Sequence, residues 1–279
     1  SDSRFFILSS AVPRKAQPIT FWQIGADGGF LAAPEARPEL LIGPAERADV
    51  IVDFSAYRPG DTITLLNIGP DEPFGGGVPG VDFPKSDAGT TGQVMQFRVV
   101  PLGPADTSTP VAKLDLPKPV NLGMATNTRT LSLNEEESAT VCVDRKGTAA
   151  SCFSRGAVPA GPTEALLGIL QPDGTPLPLE WMQAITENPL LGATEVWEIY
   201  NFTADAHPIH IHLVQFEILN RQALMTDADG MSVPPATLVG TPRGPDPGES
   251  GRKDTVIVYP GEVARVKATF DMSGLFVWH

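Results

Sequence analysis

Short apolar segments separated by turn-forming residues recur along the whole chain, and this pattern restricts the fold more than any other feature. The segments are rich in Val, Ile, Phe and Thr, which favour β-strands; examples are RFFILSS, TFWQI, RADVIVDF, DTITLLNI, GQVMQFRVV, TEVWEIYNF and IHIHLVQFEILNRQ. Gly and Pro supply many turns, since 27 and 28 of the 279 residues are of these types. Helical periodicity is weak and limited to PTEALLGIL and LEWMQAIT. The pattern predicts an all-β protein built from two antiparallel β-sandwiches.

A change in composition near the middle of the chain separates two series of strand segments. The stretch PLGPADTSTPVAKLDLPKPVNLG is rich in Pro, Ala and Thr, which is typical of a connection between domains. A length of 279 residues also suits two domains of ordinary size. We therefore expect one domain over residues 1–103, a linker over residues 104–127 and a second domain over residues 128–279.

Two segments outside the plain strands carry specific predictions. The Asp-Gly pair in IGADGGFL, with apolar flanks, predicts a β-hairpin. The segment from Ala223 to Arg252 is too long for a simple hairpin turn. Because it follows the histidine-rich segment directly, we expect it to border the approach to His207, with a disordered surface insertion as the alternative.

The charge of the chain argues against nucleic acid as a partner. Lys and Arg number 20 against 33 for Asp and Glu, which gives a formal charge of −13. Such a surface repels phosphate backbones. No run of 18 apolar residues occurs, so no transmembrane segment is predicted. The first residues, SDSRFFILSS, lack the features of a secretory signal, and we expect further chain before them.

The two cysteines, Cys142 and Cys152, lie on either side of a polar turn with nine residues between them. A local disulfide that pins a long hairpin is the favoured interpretation, and a pair of free thiols is the alternative. A disulfide would favour an oxidising compartment. Metal binding by this pair is disfavoured because no histidine lies nearby in the sequence.

Three of the four histidines fall within six positions, in AHPIHIHLVQFEIL; these are His207, His210 and His212, and the fourth is His279. Side chains alternate faces along a strand, so His210 and His212 should point the same way and His207 the other way. One short segment could then contribute to two metal sites. Imidazole suits copper and zinc, and copper(II) binds most tightly among the common divalent ions.

Two other interpretations of the histidines are open at this point. The three side chains could be ordinary core or surface histidines without a metal. Alternatively, the His-x-His pair could hold zinc for hydrolysis or hydration, with His279 or a carboxylate as the third protein ligand.

The histidine motifs and their surroundings resemble one known family. HPIHIH resembles the third-domain copper motif of multicopper oxidases, and GLFVWH resembles the start of their final motif, which continues His-Cys-His and a further His and Met. GADGGFL and LLIGPAERADVIVDF are similar to the second domain of the family, and RKDTVIVYPGEVARVKATF to the strands before the last motif. The resemblance runs from Arg4 to His279 and is nearest to spore-coat laccases, bilirubin oxidases and phenoxazinone synthases. It implies two cupredoxin-like Greek-key β-sandwich domains.

The resemblance implies a role for each histidine. His207 matches a ligand of the mononuclear blue copper, where substrate electrons enter, and is the catalytic residue in this comparison. His210 matches a ligand of the lone copper in a trinuclear cluster, and His212 and His279 match ligands of its binuclear pair. The implied cofactor is copper, and the implied partners are a small aromatic substrate and dioxygen. The implied reaction oxidises phenolic or related donors and reduces dioxygen to water.

The sequence also departs from the family pattern. The cysteine that should follow His279, the later His and Met, and the first domain with its two His-x-His pairs are not among these residues. We therefore expect a fragment whose partners include the missing first domain and C-terminal segment. The alternative is a non-catalytic copper-binding cupredoxin-domain protein. The family resemblance suggests an extracellular, periplasmic or spore or cell-surface location.

Three further expectations concern individual residues. Asp254 in RKDTV could orient a metal ligand, although fixing a strand end is the favoured role. Trp197 and Trp278 are expected in the core. Met225 and Met231 are too few for the methionine-rich inserts of metal-oxidising relatives, which favours an organic donor.

Overall fold

The structure is a computed structural model that describes residues 4–13, 17–104, 106–144, 146–228 and 230–279. The regular structure of these residues is β, apart from one 3₁₀ turn at Val111–Lys113, so the all-β prediction is confirmed. The strands are β1 (Phe6–Ala11), β2 (Phe21–Ala26), β3 (Gly29–Arg37), β4 (Leu40–Ile42), β5 (Ala48–Ile51), β6 (Thr62–Asn67), β7 (Gln93–Arg98), β8 (Asn127–Glu136), β9 (Cys142–Val143), β10 (Ala149–Ala150), β11 (Val158–Pro159), β12 (Glu164–Leu170), β13 (Pro176–Pro178), β14 (Ala193–Asn201), β15 (His207–His210), β16 (Phe216–Leu224), β17 (Leu238–Arg243), β18 (Thr255–Val258) and β19 (Glu262–Phe270).

Neither segment with weak helical periodicity forms a helix. PTEALLGIL contains β12, which pairs with β8 and β13, and LEWMQAIT forms turns and irregular chain. In the first segment, backbone pairing with β8 outweighs the weak local preference for a helix. No helix in the described part of the chain is long and apolar enough to cross a membrane.

The N-terminal half is a β-sandwich of two antiparallel sheets. One sheet has the order β4-β1-β6-β7 and the other the order β3-β2-β5. Alternate residues of β6 are buried, as expected for a strand with one face on a core. The core between the sheets combines side chains from both of them, namely Ile19, Phe21, Leu40, Ile63 and Leu65.

The C-terminal half packs a seven-stranded sheet against the short β15–β18 pair. The large sheet has the order β13-β12-β8-β14-β19-β16-β17. Residues Ile209 and Val256 of the short pair are buried against Trp197 and Val266 of the large sheet. One pairing departs from the antiparallel prediction, because β14 runs parallel to β8. Between β7 and β8 the described residues form no strand.

The predicted strand that contains the histidines is divided into two. β15 ends at His210 and β16 begins at Phe216, so IHIHLVQFEILNRQ is not continuous. Leu213 has a φ of 73°, a left-handed conformation that interrupts a strand. As a result, β15 pairs with β18 while β16 pairs with β19 in the other sheet.

The hairpin and disulfide predictions are confirmed. The Asp27-Gly28 turn joins β2 to β3, which pair in antiparallel fashion. Cys142 and Cys152 form a disulfide across the small β10-β9-β11 sheet. The long segment after Ala223 is not a plain loop, since it contains β17, which pairs with β16.

A smaller apolar cluster joins the two halves beside the histidine strand. It contains Phe5 and Phe74 from the N-terminal half and Ala206 and Ile257 from the C-terminal half. Ile257 faces Pro208 in the β15–β18 ladder. The packing between the halves therefore lies directly against the elements that carry the histidines.

Candidate metal centre

The histidine strand lies between two other segments of backbone. On one side β15 pairs with β18, with His207 opposite Val258 and His210 opposite Thr255. On the other side His210 exchanges two backbone hydrogen bonds with His279, at 2.7 and 3.0 Å. A further bond, from His212 N to Val277 O at 3.1 Å, extends this pairing. The ladder thus places His279 beside residues that precede it by almost seventy positions.

Three imidazoles converge at this point and form what we call the histidine cluster: His210, His212 and His279. The ring centroids are 4.8 Å apart for His210 and His212, 5.5 Å for His210 and His279, and 5.3 Å for His212 and His279. The Nε2 atoms of His212 and His279 lie 3.2 Å from each other. Two nitrogen atoms that face each other so closely are arranged either to share a proton or to bind one ion.

The closest pair fits a single metal ion. Two nitrogens bound at about 2.0–2.1 Å, with an angle of about 90–110° at the ion, are roughly 2.9–3.4 Å apart. The observed separation of 3.2 Å for His212 and His279 falls in this range. In the described part of the chain no three His, Cys, Asp or Glu side chains converge on one ion, so His210 stands apart from this pair as a donor. An all-imidazole donor set suits copper.

The orientation of His210 is set through its Nδ1 atom. Nδ1 lies 2.9 Å from Asp254 O, 3.1 Å from Thr255 Oγ1 and 3.3 Å from Asp254 Oδ1. A backbone carbonyl can only accept, so Nδ1 carries the hydrogen and donates it. In the neutral ring Nε2 then has a free lone pair for a metal. Asp254 therefore contacts the candidate ligand as well as preceding the first residue of β18.

The environment of His279 favours a neutral imidazole. Burial, followed by repulsion from His210 and His212, lowers the pKa of His279. A neutral ring keeps the lone pair that metal binding requires.

His207 lies outside the cluster, in a different setting. Its Nε2 atom is 2.6 Å from Thr203 Oγ1 and 3.9 Å from Glu135 Oε1. The side chain is 24% exposed, so it is not fully buried. Burial lowers the pKa of His207, with an opposing contribution from Asp205. The segment thus presents imidazoles in two separate surroundings.

Sequence reasoning missed the acidic neighbours of His207. Glu135 lies in β8, far from the histidine motif in the chain. Burial, followed by repulsion from Asp205, raises the pKa of Glu135. Nothing in the local sequence signals this contact, because only the packing of β8 beside the residues after β14 creates it.

The segment after Ala223 reaches the neighbourhood of His207 through a hydrogen-bond chain. Ser232 Oγ donates to Asn201 O at 2.7 Å, and Thr203 Oγ1 donates to Asn201 Oδ1 at 2.8 Å. Thr203 in turn contacts His207. That this segment borders a substrate approach remains a prediction.

Comparison with known proteins identifies similarity in the region that contains the four histidines. The sequence profile of the family described as multicopper oxidase matches residues 166–279, which include all four histidines. The laccase of Bacillus stratosphericus is 36% identical over 289 aligned positions, which cover 99% of this chain and 47% of that protein. The chain belongs to the multicopper oxidase family.

Other multicopper oxidases agree with this assignment. The laccase of Bacillus subtilis strain 168 is 34% identical, over 93% of this chain and 43% of that protein. The crystal structure of the McoA multicopper oxidase from Aquifex aeolicus superposes with a TM-score of 0.58 at 25% identity, covering 98% of this chain and 47% of that one. The cupredoxin-like prediction is thereby confirmed. The chain spans about half the length of the curated relatives it matches.

The donor set for a mononuclear blue copper is incomplete among these residues. Such a site needs a thiolate, and both cysteines of the chain are joined in the Cys142–Cys152 disulfide. The cluster imidazoles fit copper, whereas the described residues provide no thiolate for a blue copper site.

Proposed function

We propose that this chain is part of a laccase-like multicopper oxidase. The complete enzyme would couple one-electron oxidation of phenolic or related aromatic donors to four-electron reduction of dioxygen to water. The observation that carries the proposal is the convergence of His210, His212 and His279, with a nitrogen separation of 3.2 Å in one pair. Membership of the multicopper oxidase family supplies the chemical context.

The cluster residues would act as copper ligands. His212 and His279 would hold one ion through Nε2, and His210 would hold a neighbouring ion through its own Nε2. Copper bound there supplies the reversible one-electron chemistry that dioxygen reduction needs. The carbonyl of Asp254 and the hydroxyl of Thr255 hold the proton on Nδ1 of His210, so that Nε2 stays free.

His207 would lie where electrons enter from the donor. Its partly exposed ring sits beside Glu135, which offers a carboxylate. A phenol has a hydroxyl donor and a flat apolar ring, so it could donate to Glu135 while its ring packs near the imidazole. This arrangement would accommodate a phenolic donor of the complete enzyme.

The remaining ligands would come from other parts of the same protein. We keep the division into domains at residues 1–103 and 128–279, joined by a linker at residues 104–127, as part of the proposal. A first domain and a C-terminal segment would supply the missing imidazoles and the thiolate. The disulfide favours a site outside the reducing cytoplasm, such as the periplasm or the cell surface.

A second candidate is a copper-binding cupredoxin-domain protein without catalysis, since both cysteines of this chain are joined in a disulfide and offer no thiolate. Oxygen uptake by the copper-loaded, full-length protein with hydroquinone distinguishes the two functions. The oxidase should consume one dioxygen per four electrons taken from the donor, without accumulating peroxide. Copper binding without oxygen uptake from any phenolic donor would establish the second candidate. A zinc-loaded sample is the control, because zinc has no redox chemistry.

A further inference from the structure

We propose that Arg47, in the N-terminal half, is a positioning residue for His210 and acts through Asp254. The inference deepens the proposed function, because it concerns the orientation of one candidate ligand. Arg47 lies between β4 and β5, and His210 ends β15 in the other half of the molecule. The link between them consists of two consecutive contacts, and a third contact holds the backbone around Asp254.

The first contact joins the two halves by a bidentate ion pair. Arg47 donates from Nη1 to Asp254 Oδ1 at 2.8 Å and from Nη2 to Asp254 Oδ2 at 2.5 Å. Two parallel bonds fix both the position and the plane of the carboxylate. Arg47 is itself held, since it also donates to the carbonyls of Ala45 at 2.6 Å and Asp27 at 3.1 Å.

The second contact passes from the carboxylate to His210. Thr255 Oγ1 donates to Asp254 Oδ1 at 3.0 Å, which turns the hydroxyl hydrogen toward the carboxylate. The lone pairs of Thr255 Oγ1 are then free to face His210 Nδ1, at 3.1 Å. Asp254 Oδ1 lies 3.3 Å from the same nitrogen. The orientation of the carboxylate therefore decides whether Thr255 adds a second acceptor at Nδ1 beside the backbone carbonyl of Asp254.

The third contact is the docking of the β2–β3 turn on the backbone around Asp254. The side chain of Asp27 is fully buried and accepts from Lys253 Nζ at 3.0 Å and from Arg47 N at 2.7 Å. Gly28 N donates to Arg252 O at 2.8 Å. A Cβ atom at Gly28 would lie 2.8 Å from Arg252 Cβ, so a larger residue cannot approach so closely. The N-terminal half thus holds the residues that precede β18.

If the Arg47–Asp254 ion pair were purely structural, it would stabilise the contact between the halves without affecting the imidazole of His210. A positioning role predicts a local change at His210, because loss of Arg47 frees the Asp254 carboxylate to rotate. Thr255 can then turn its hydroxyl hydrogen toward Nδ1, where it competes with the hydrogen bond to the backbone carbonyl of Asp254 and populates the tautomer with hydrogen on Nε2. Loss of such outer contacts to a metal ligand typically lowers metal affinity by about 10–100-fold.

The test compares Arg47→Gln with Arg243→Gln. Arg243 is a matched control because it is also about half exposed and pairs with Asp246 and Glu262, which do not contact a histidine. Ring-nitrogen NMR of the metal-free protein, at about pH 8 where histidines are neutral, reports the tautomer of each imidazole. We expect Nδ1–H at His210 in the unchanged protein and in Arg243→Gln, and a mixture of tautomers in Arg47→Gln. Arg47→Lys, which retains a charged donor, should give an intermediate result.

A second measurement uses copper(II) alone. Competition with a chelator should show a 10–100-fold weaker affinity of the cluster in Arg47→Gln than in Arg243→Gln. Gly28→Ala displaces the turn without removing a charge and should shift the His210 tautomer in the same direction. An unchanged tautomer in Arg47→Gln would overturn the inference. Failure of the unchanged protein to bind copper would instead contradict the proposed function, since the tautomer is measured without metal.

Discussion

The Nε2 atoms of His212 and His279 lie 3.2 Å apart, although 67 positions separate the two residues in the chain. The last residues pair with β15 through the backbone of His210, and the left-handed residue Leu213 turns the chain away immediately after His212. The two imidazoles therefore meet at the edge of a short ladder, where backbone hydrogen bonds determine their separation.

Removal of either member of this pair should abolish the tightest metal binding. His212→Ala and His279→Ala each remove one of two nitrogens that face a common point, so we expect the affinity for copper(II) to fall by at least about a hundredfold, more than for outer contacts. Chelator competition measures the loss. His207→Ala is the control, because His207 contacts Thr203 and Glu135 and lies outside the cluster. An equal loss of cluster binding in the control would contradict the separation of the two surroundings.

The pairing of Glu195 with Arg129 should make stability depend on pH. Burial would raise the pKa of Glu195, but hydrogen bonds from Arg129, Asn127 and Trp197 outweigh it and hold the pKa below the ordinary value of 4.5. The carboxylate therefore stabilises the fold above pH 4.5, and this contribution is lost as the pH falls through the lowered pKa.

Glu195→Gln should lower the free energy of unfolding by about 1–3 kcal/mol at neutral pH, because Arg129 keeps an imperfect partner. The difference from the unchanged protein should shrink in acid, as the pH falls below 4.5 and the carboxylate protonates. Urea unfolding at neutral and at acid pH measures this. Glu180→Gln, in an exposed turn, should show no such dependence. A constant difference between the two pH values would show that the charge of Glu195 is not the stabilising feature.

Removal of the buried guanidinium of Arg221, without a change in its partner, should strongly lower the free energy of unfolding. Arg221 is 0% exposed and donates to both carboxylate oxygens of Glu249, at 2.5 and 2.8 Å. Arg221→Met leaves the Glu249 charge buried, so we expect a loss of about 3–5 kcal/mol in the free energy of unfolding. The double change with Glu249→Leu should recover much of this loss. Arg243→Gln, which breaks a half-exposed pair, should cost less than about 1 kcal/mol.

The disulfide should protect the small β10-β9-β11 sheet from proteolysis. Cys142 and Cys152 close a loop in the small β10-β9-β11 sheet, where Cys142 is the one buried residue of the three strands. Closing so short a loop contributes about 2–3 kcal/mol to local stability. Cys142→Ala with Cys152→Ala should therefore speed tryptic cleavage after Arg155 by about 10–100-fold. The free energy of global unfolding in urea should change much less. A large change in it would show that the β10-β9-β11 sheet unfolds together with the main core.

The sequence by itself was sufficient to predict features that depend on neighbouring residues. Alternation of apolar residues and the clusters of Gly, Pro and Asp identified most strands, and the Asp27-Gly28 pair identified the β2–β3 hairpin. The spacing of Cys142 and Cys152 was enough to favour their disulfide. Strand pleating and turn chemistry act over a few residues, so the local sequence contains the information they need.

Only the tertiary structure decided which distant groups meet. It broke the histidine strand after His212, paired β14 in parallel with β8, and placed Glu135 beside His207. It also connected Arg47 to His210 through Asp254, although Arg47 and Asp254 lie 207 positions apart. These contacts follow from how the sheets and the two halves pack, and their stability comes from burial and ion pairs between segments far apart in the chain. A local pattern cannot contain that information, because neither partner alone specifies the other.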